Sequence, residues 1–215
     1  MAHDDEAHLD DRMLHRLMFF TDAVFAIVLT LLVLELKPPE SRHEASAETL
    51  RQMAPHIGAF VFSFVLISIF WVAHMNTTRR LVRFDWPTAL ANLLFLLPIC
   101  LLPFATAWFG ADFAGAVAWE LYCWTLVAVS AANIVVVLTA YRGGGKLIAG
   151  GSPPGERLYR VVRAGAPGIA FAVGLAGLAA GQVILAHFCC VLIPVVFWSA
   201  EWLLKPKPQP AAEPV

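Results

Sequence analysis

The chain has 215 residues, of which 59% are hydrophobic and 14% charged, and its formal net charge at pH 7 is −1. Soluble domains are about 45–50% apolar and about 25% charged, so this composition excludes an ordinary soluble protein and indicates an integral membrane protein. The near-zero net charge leaves no basic field for nucleic acid, which we do not expect as a partner.

Apolar runs long enough to cross a bilayer predict an all-α membrane protein with six transmembrane helices. Four runs are separated by charged or proline-containing segments, at residues 17–36, 55–76, 87–109 and 115–141. A further uncharged stretch, 164–200, would make a single helix of about 55 Å, so we expect two helices joined by a turn near Gly181-Gln182. The prediction is a segment 1–16, a six-helix domain 17–204 and a disordered, proline-rich tail 205–215.

The basic residues predict the orientation in the membrane. If successive helices alternate in direction, both termini and the 2–3 and 4–5 loops share one side, which carries twelve Lys and Arg residues. The opposite side carries three: Lys37, Arg42 and Arg51. Because cytoplasmic loops are enriched in Lys and Arg, we predict a multi-pass protein of the cell membrane with cytoplasmic N- and C-termini.

Polar side chains within the first three helices fall at one membrane depth, because helix 1 leaves the cytoplasmic side and helix 2 returns to it. They are Arg16, Thr21, Asp22, His74 and Asn92. An ionisable group inside a span costs about 2.5–3.5 kcal/mol on insertion scales, so these residues are either a proton or ion relay or a hydrogen-bonded knot between helices. Asp22 points about 140° away from the apolar stripe that begins at Ile27, which favours the knot for most of them.

Other chemistry finds little support in the sequence. Glu35 ends helix 1 on the outer side, where it could attract cations or pair with Lys37. The four cysteines lie in apolar runs without a CxxC pair, so we expect no disulfide and no metal site. The sequence contains no HExxH, phosphate-binding loop, GxSxG or paired catalytic carboxylates, and we expect neither an enzyme nor a cofactor.

Three ordered motifs resemble the transmembrane protein 175 family, which comprises a lysosomal potassium channel and its prokaryotic relatives. Arg16-Leu-Met-Phe-Phe-Thr21-Asp22 resembles the RxxxFSD signature that opens the family's first helix, with Thr21 where Ser is usual and the hydroxyl retained. Phe70-Trp71-Val-Ala-His74 resembles the aromatic-Trp-x-x-His element of helix 2. The run that begins at Asn92 and includes Pro103-Phe104 resembles the helix 3 pattern, so the resemblance covers about residues 12–108.

The resemblance implies a homotetrameric, potassium-permeable cation channel in the lipid bilayer, with a pore lined by the first helices. Monovalent cations, with potassium as the permeant ion, are then its partners, and no cofactor is expected. Ile27, Leu31 and Leu34 resemble the pore-constricting positions, and Thr30 a nearby hydroxyl that bears on selectivity. A ring of such apolar side chains would gate by dewetting. The family's network between helices 1, 2 and 3 is similar to a set of six residues here: Arg16, Thr21, Asp22, Trp71, His74 and Asn92.

Two other hypotheses remain. A proton-coupled transporter would use Asp22 and His74, which would have to face an aqueous path; an inverted repeat would favour it, and the sequence has none. A non-conducting membrane scaffold would predict that the stripe residues have no effect on ion flux.

Overall fold

A computed structural model describes residues 2–37, 47–113, 115–182, 186 and 188–206, with side chains from Leu9 onward. These residues form six α-helices, which we number along the chain: α1 (Ala2–Leu34), α2 (Ala47–Thr78), α3 (Trp86–Ala111), α4 (Ala116–Ala140), α5 (Glu156–Ala179) and α6 (Leu192–Leu204). Short 3₁₀ turns lie at Arg142–Gly144 and Cys189–Val191. The prediction of an all-α protein is confirmed for the described residues, and the helices agree in number with the six predicted. That all six cross the membrane stays a prediction.

Five helices are long and apolar enough to cross a membrane: Leu9–Leu34 of α1 and the whole of α2, α3, α4 and α5. Each predicted apolar run lies within one of them or overlaps it closely. The predicted break after the fifth helix is also present, because α5 ends at Ala179 and Gly181 adopts φ +71°, a left-handed conformation that favours glycine.

The sixth helix is shorter than predicted, with 13 residues of regular α-helix. Pro194 is the third residue of α6 and has no N–H to donate to the carbonyl four residues earlier. Immediately before α6 the backbone tightens into the 3₁₀ turn Cys189–Val191, in which the Leu192 N–H donates to the Cys189 and Cys190 carbonyls. The whole apolar segment Cys189–Leu204 is therefore helical but short for a span.

Of the two predicted terminal segments, the structure describes nearly all of 1–16 but only the first two residues of 205–215. Helix α1 begins at Ala2 and runs without a break past residue 16, so the charged segment continues directly into the apolar one. Of the tail 205–215, Lys205 and Pro206 follow α6, and residues 207–215 lie outside the described part of the chain.

The helices pack as a bundle in which α3 and α4 are central. Helix α3 packs against α1, α2 and α4, and α4 packs against α5, which in turn contacts α6. The start of α3 is fixed by Asp85, whose Oδ1 accepts hydrogen bonds from the Thr88 N–H at 3.1 Å and from its hydroxyl at 2.9 Å. Among the described residues, α1 makes its main helix contacts with α2 and α3, so it lies at the edge of the bundle.

Candidate functional site

Helix α1 has one buried edge, and this edge docks it onto the subunit. Thr21, Phe25, Val28 and Leu32 are almost completely buried. Their spacing of four, three and four residues is that of a single helical stripe. Phe25 packs against Phe95 of α3, with 5.9 Å between the ring centroids. Leu14, Met18, Val24 and Leu29 add buried or partly buried contacts. Much of the rest of the α1 surface is exposed, and we call it the free surface of α1.

The four predicted pore residues all lie on this free surface of α1. The exposed fractions are 57% for Ile27, 41% for Leu31 and 68% for Leu34. Thr30 is also exposed, and its hydroxyl donates to the Ile27 carbonyl at 2.7 Å. An apolar stripe that the subunit leaves uncovered is available to lipid, to another subunit or to a pore.

Two hydrogen bonds connect adjacent residues of α1 to two different helices. The Trp71 indole of α2 donates to Asp22 Oδ1 at 2.9 Å. The Asn92 amide of α3 donates to Thr21 Oγ1 at 2.7 Å, and the Thr21 hydroxyl donates in turn to the Leu17 carbonyl at 2.9 Å. Consecutive residues of a helix point about 100° apart, which lets Thr21 and Asp22 reach different neighbours. At Thr21 and Asp22, α1 is therefore hydrogen-bonded to both α2 and α3.

His74 and Arg16, the other two predicted members of the polar network, are placed differently. His74 is buried and stacks on Phe95, with ring centroids 4.8 Å apart, and neither ring nitrogen has a hydrogen-bond partner among the described residues. Arg16 is exposed and makes no hydrogen bond or ion pair within the described part of the chain. The six predicted residues thus form two hydrogen-bonded pairs, a packed imidazole and a free surface cation.

Comparison with known proteins identifies the family. A family model described as endosomal/lysosomal potassium channel TMEM175 matches residues 16–103. A protein of Streptomyces collinus named potassium channel is 32% identical over 178 residues, which cover 80% of this chain and 86% of the relative. This chain belongs to the TMEM175 family.

Other members of the TMEM175 family match over shorter stretches. A protein of a Chryseobacterium species, also named potassium channel, is 38% identical over 97 residues, 45% of this chain and 49% of the relative. A rat protein named endosomal/lysosomal proton channel TMEM175 is 24% identical over 131 residues, 59% of this chain and 26% of its own length. The chain therefore spans about half of the Chryseobacterium relative and about a quarter of the rat one.

The matched part of the TMEM175 family model contains the docking contacts of α1. Residues 16–103 include Asp22 and Trp71, Thr21 and Asn92, and the ring of Phe95 on which His74 stacks. The family is named for ion channels and not for an enzyme, in agreement with the absence of catalytic motifs in the sequence.

Glu35 lies at the other end of α1, beside an open cleft. It is half-buried and lines a cleft of about 570 Å³ together with Lys37, His56 and Trp108, between the end of α1, the start of α2 and the end of α3. Glu35 forms no ion pair with Lys37 within the described residues; only the Lys37 backbone N–H donates to its carbonyl, at 3.1 Å. His56 is a titratable neighbour that sequence reasoning did not single out.

A buried hydroxyl chain in the middle of the bundle was also missed. The Ser63 hydroxyl of α2 lies 2.7 Å from the Tyr122 hydroxyl of α4 and accepts a hydrogen bond from Thr106 of α3 at 2.8 Å. All three side chains are buried. Hydroxyls within helices often bond to their own backbone, so the sequence carried no specific signal for this three-helix contact. The hydroxyl chain connects α2, α3 and α4. Helix α1 takes no part in it and is hydrogen-bonded to α2 and α3 through Asp22 and Thr21.

Proposed function

We propose that this protein is a potassium-permeable cation channel of the cell membrane, formed by four subunits around a central axis. The first helices line the pore, and Ile27, Leu31 and Leu34 form a hydrophobic constriction. Thr30 contributes a hydroxyl near the constriction, and Glu35 attracts cations at the outer mouth. Transport is passive and needs no cofactor beyond the permeant ion.

The exposure of the Ile27, Leu31 and Leu34 stripe carries this proposal. Its side chains lie on a part of the α1 surface that the bundle leaves uncovered, while the polar residues Thr21 and Asp22 are used to dock α1 against α2 and α3. One helix per subunit cannot enclose a pore, so the pore requires a closed symmetric ring. The bacterial relatives named potassium channel support potassium as the permeant ion.

The contacts at Thr21 and Asp22 suggest a positioning role. A constriction of apolar side chains conducts only when it widens enough to remain wet, so its conductance depends on where each α1 stands relative to the axis. The bonds to Trp71 and Asn92 attach α1 to α2 and α3 at Thr21 and Asp22, just before the stripe begins at Ile27. In this proposal they set the diameter of the pore and do not touch the ion.

The decisive experiment measures reversal potentials of the purified protein in a planar bilayer with potassium on one side and sodium on the other. A current that reverses towards the potassium equilibrium potential supports the channel. Absence of current from verified tetramers, across pH and voltage, contradicts it. Flux that follows a proton gradient with saturable kinetics would favour the transporter that uses Asp22 and His74, and no flux of any kind would favour the scaffold.

Proton conduction is the second candidate, since mammalian relatives are named proton channels. The same bilayer discriminates the two when both sides hold equal potassium and differ by two pH units. A reversal potential that follows the pH gradient assigns the current to protons, and a reversal at zero assigns it to potassium.

We expect Ile27→Asn to increase the potassium leak, because an amide in the constriction holds water and removes the dewetting barrier. The readout is potassium efflux from vesicles that contain equal amounts of assembled protein. Val33→Asn is the matched control, since Val33 is also an exposed apolar residue of α1 but lies about 120° from Ile27. Equal efflux from both variants and the parent protein would contradict the assignment of Ile27 to the pore.

A further inference from the structure

A second cavity lies at the opposite end of the bundle from Glu35, where α2 and α6 end and α5 begins. Its volume is about 670 Å³. Seven charged side chains line it, five of them basic, and leave a formal excess of three positive charges: Arg79, Arg80, Arg160, Arg163, Lys205, Glu156 and Glu201. We call it the basic cavity.

The two carboxylates hold the surrounding cations in place without neutralising them. Glu156, which is only 5% exposed, pairs with Arg80 and, at 2.9 Å, with Arg160. Glu201 pairs with Arg163 at 2.8 Å and with Lys205. The hydrogen bond to Glu201 raises the pKa of Lys205, which stays protonated at neutral pH. Each carboxylate is therefore shared between two cations.

Backbone contacts orient two of these arginines further. Arg160 Nη1 donates to the Asn76 carbonyl at 3.0 Å, and Arg80 Nη2 donates to the Ala149 and Gly151 carbonyls, both at 3.2 Å. Arg79 is exposed and makes no ion pair among the described residues. An anion that enters the cavity meets guanidinium groups that are already ordered, so little side-chain entropy is lost on binding.

A buried amide gives the basic cavity a second kind of partner. Asn133 of α4 lines it and is only 1% exposed, yet its Oδ1 has no hydrogen-bond partner among the described residues. A buried acceptor without a donor is unfavourable, and a hydroxyl of a bound molecule would satisfy it. The cavity thus offers positive charge for an anion and an acceptor for a hydroxyl.

The surroundings of the cavity indicate that its ligand comes from the bilayer. Helix α6 carries Trp198 and Trp202, which are 83% and 86% exposed and lie within one turn of Glu201. Exposed tryptophans are enriched at the level of the lipid headgroups. Basic pockets between transmembrane helices at this level are suited to anionic headgroups.

We propose that the basic cavity binds the phosphate of an anionic phospholipid whose headgroup carries a hydroxyl, as phosphatidylglycerol does. Arg79 and Lys205 at the rim attract the phosphate, and the ordered Arg160 and Arg163 lie behind them. The side-chain oxygen Oδ1 of Asn133 accepts a hydrogen bond from the headgroup hydroxyl. This site is separate from the α1 stripe, so it stands whether or not the protein conducts ions.

The test is a thermal unfolding titration of the full chain in detergent with dioleoylphosphatidylglycerol, dioleoylphosphatidylcholine or inorganic phosphate. We expect only the phosphatidylglycerol to raise the unfolding midpoint. Arg79→Gln/Lys205→Gln removes two exposed charges and should weaken the apparent affinity about tenfold or more. Arg83→Gln/Arg157→Gln is the matched control, because both arginines are exposed and lie outside the cavity lining, and it should stay within about threefold of the parent.

Three outcomes would overturn the proposal: an equal midpoint shift with phosphatidylcholine, an equal loss of affinity in both double variants, or a shift produced by inorganic phosphate and not by lipid. Asn133→Leu separates binding from a structural role. Replacing an unpaired amide by an isosteric apolar side chain should leave the lipid-free midpoint unchanged or higher, while the shift caused by phosphatidylglycerol becomes smaller. A lower lipid-free midpoint with an unchanged lipid shift would contradict the role of Asn133.

Discussion

Asp22 and Thr21 illustrate how neighbouring residues on one helix can serve separate contacts. Asp22 is exposed and bonds to Trp71, whereas Thr21 is buried and bonds to Asn92. Hydrogen bonds between transmembrane helices contribute on average about 0.6 kcal/mol each, with larger values for charged acceptors. Two such bonds at one level are enough to favour one position of α1 over its alternatives, but not enough to hold it there without the packing of Phe25 and Leu32.

We expect Asp22→Ala to lower the unfolding midpoint and the assembled fraction, because the Trp71 indole loses its acceptor. A loss of about 1 kcal/mol corresponds to a shift of about 2–4 °C for a chain of this size. Thermal unfolding and size-exclusion chromatography provide the readouts. Asp22→Asn is the matched control, since it removes the same charge but keeps an acceptor oxygen for Trp71. A fully assembled Asp22→Ala protein with altered selectivity would contradict the positioning role and place Asp22 in the ion path.

Only part of this local arrangement could be predicted from the sequence. The helix directions placed Arg16, Thr21, Asp22, His74 and Asn92 at one membrane depth, and the family resemblance added Trp71. Four of the six are hydrogen-bonded in pairs. The partners of each depend on side-chain rotamers and on the rotation of each helix, which spacing does not determine. His74 was expected to form a hydrogen bond in the polar network, because it lies at the same membrane depth as Asp22. In the structure it stacks on Phe95 instead.

At the scale of elements, α5 is defined by small residues that allow its neighbours to approach closely. A methyl group added to Gly168 would lie 2.6 Å from Ser130 Cβ of α4, and one added to Gly174 would lie 2.8 Å from Cys189 Sγ. The many Gly and Ala residues of α5 in the sequence are typical of close helix packing. Which helix they face follows from the three-dimensional path of α4 and of the segment before α6, and the sequence does not reveal it.

We expect Gly168→Ala to destabilise the bundle by about 1–3 kcal/mol, because Ser130 Cβ can yield only if the α4 backbone moves. Gly58→Ala on α2 is the matched control: nothing lies within 4 Å of the added methyl, and alanine favours the helix by up to about 1 kcal/mol. Thermal unfolding in detergent should therefore shift in opposite directions for the two variants. Equal midpoints would contradict the close approach of α4 and α5.

At the scale of the molecule, the bundle divides into an interconnected group of helices, α2, α3 and α4, and a peripheral helix, α1. The Ser63–Tyr122–Thr106 hydroxyl chain and the central position of α3 and α4 hold α2, α3 and α4 together. Helix α1 lies at the edge and exposes most of its apolar surface. This division is what the proposed channel requires, in which α1 lines the pore while the rest of the bundle supports it.

The sixth helix decides on which side of the membrane the chain ends. The described helical segment Cys189–Leu204 would extend over about 24 Å, short of the hydrocarbon thickness of about 30 Å. The distribution of Lys and Arg nevertheless predicts that both termini are cytoplasmic, which requires an even number of crossings. We therefore expect six crossings, although α6 alone is too short to span.

Cysteine labelling on intact cells tests this topology, after Cys100, Cys123, Cys189 and Cys190 have been replaced by serine or alanine. Single reporters are introduced as Ala2→Cys, Ser41→Cys and Ala211→Cys, and a membrane-impermeant maleimide is added from outside. We expect only the reporter at position 41 to react before permeabilisation, because it follows the first crossing. Reaction of the reporter at position 211 from outside, with position 2 protected, would mean an odd number of crossings and would restrict α6 to the membrane surface.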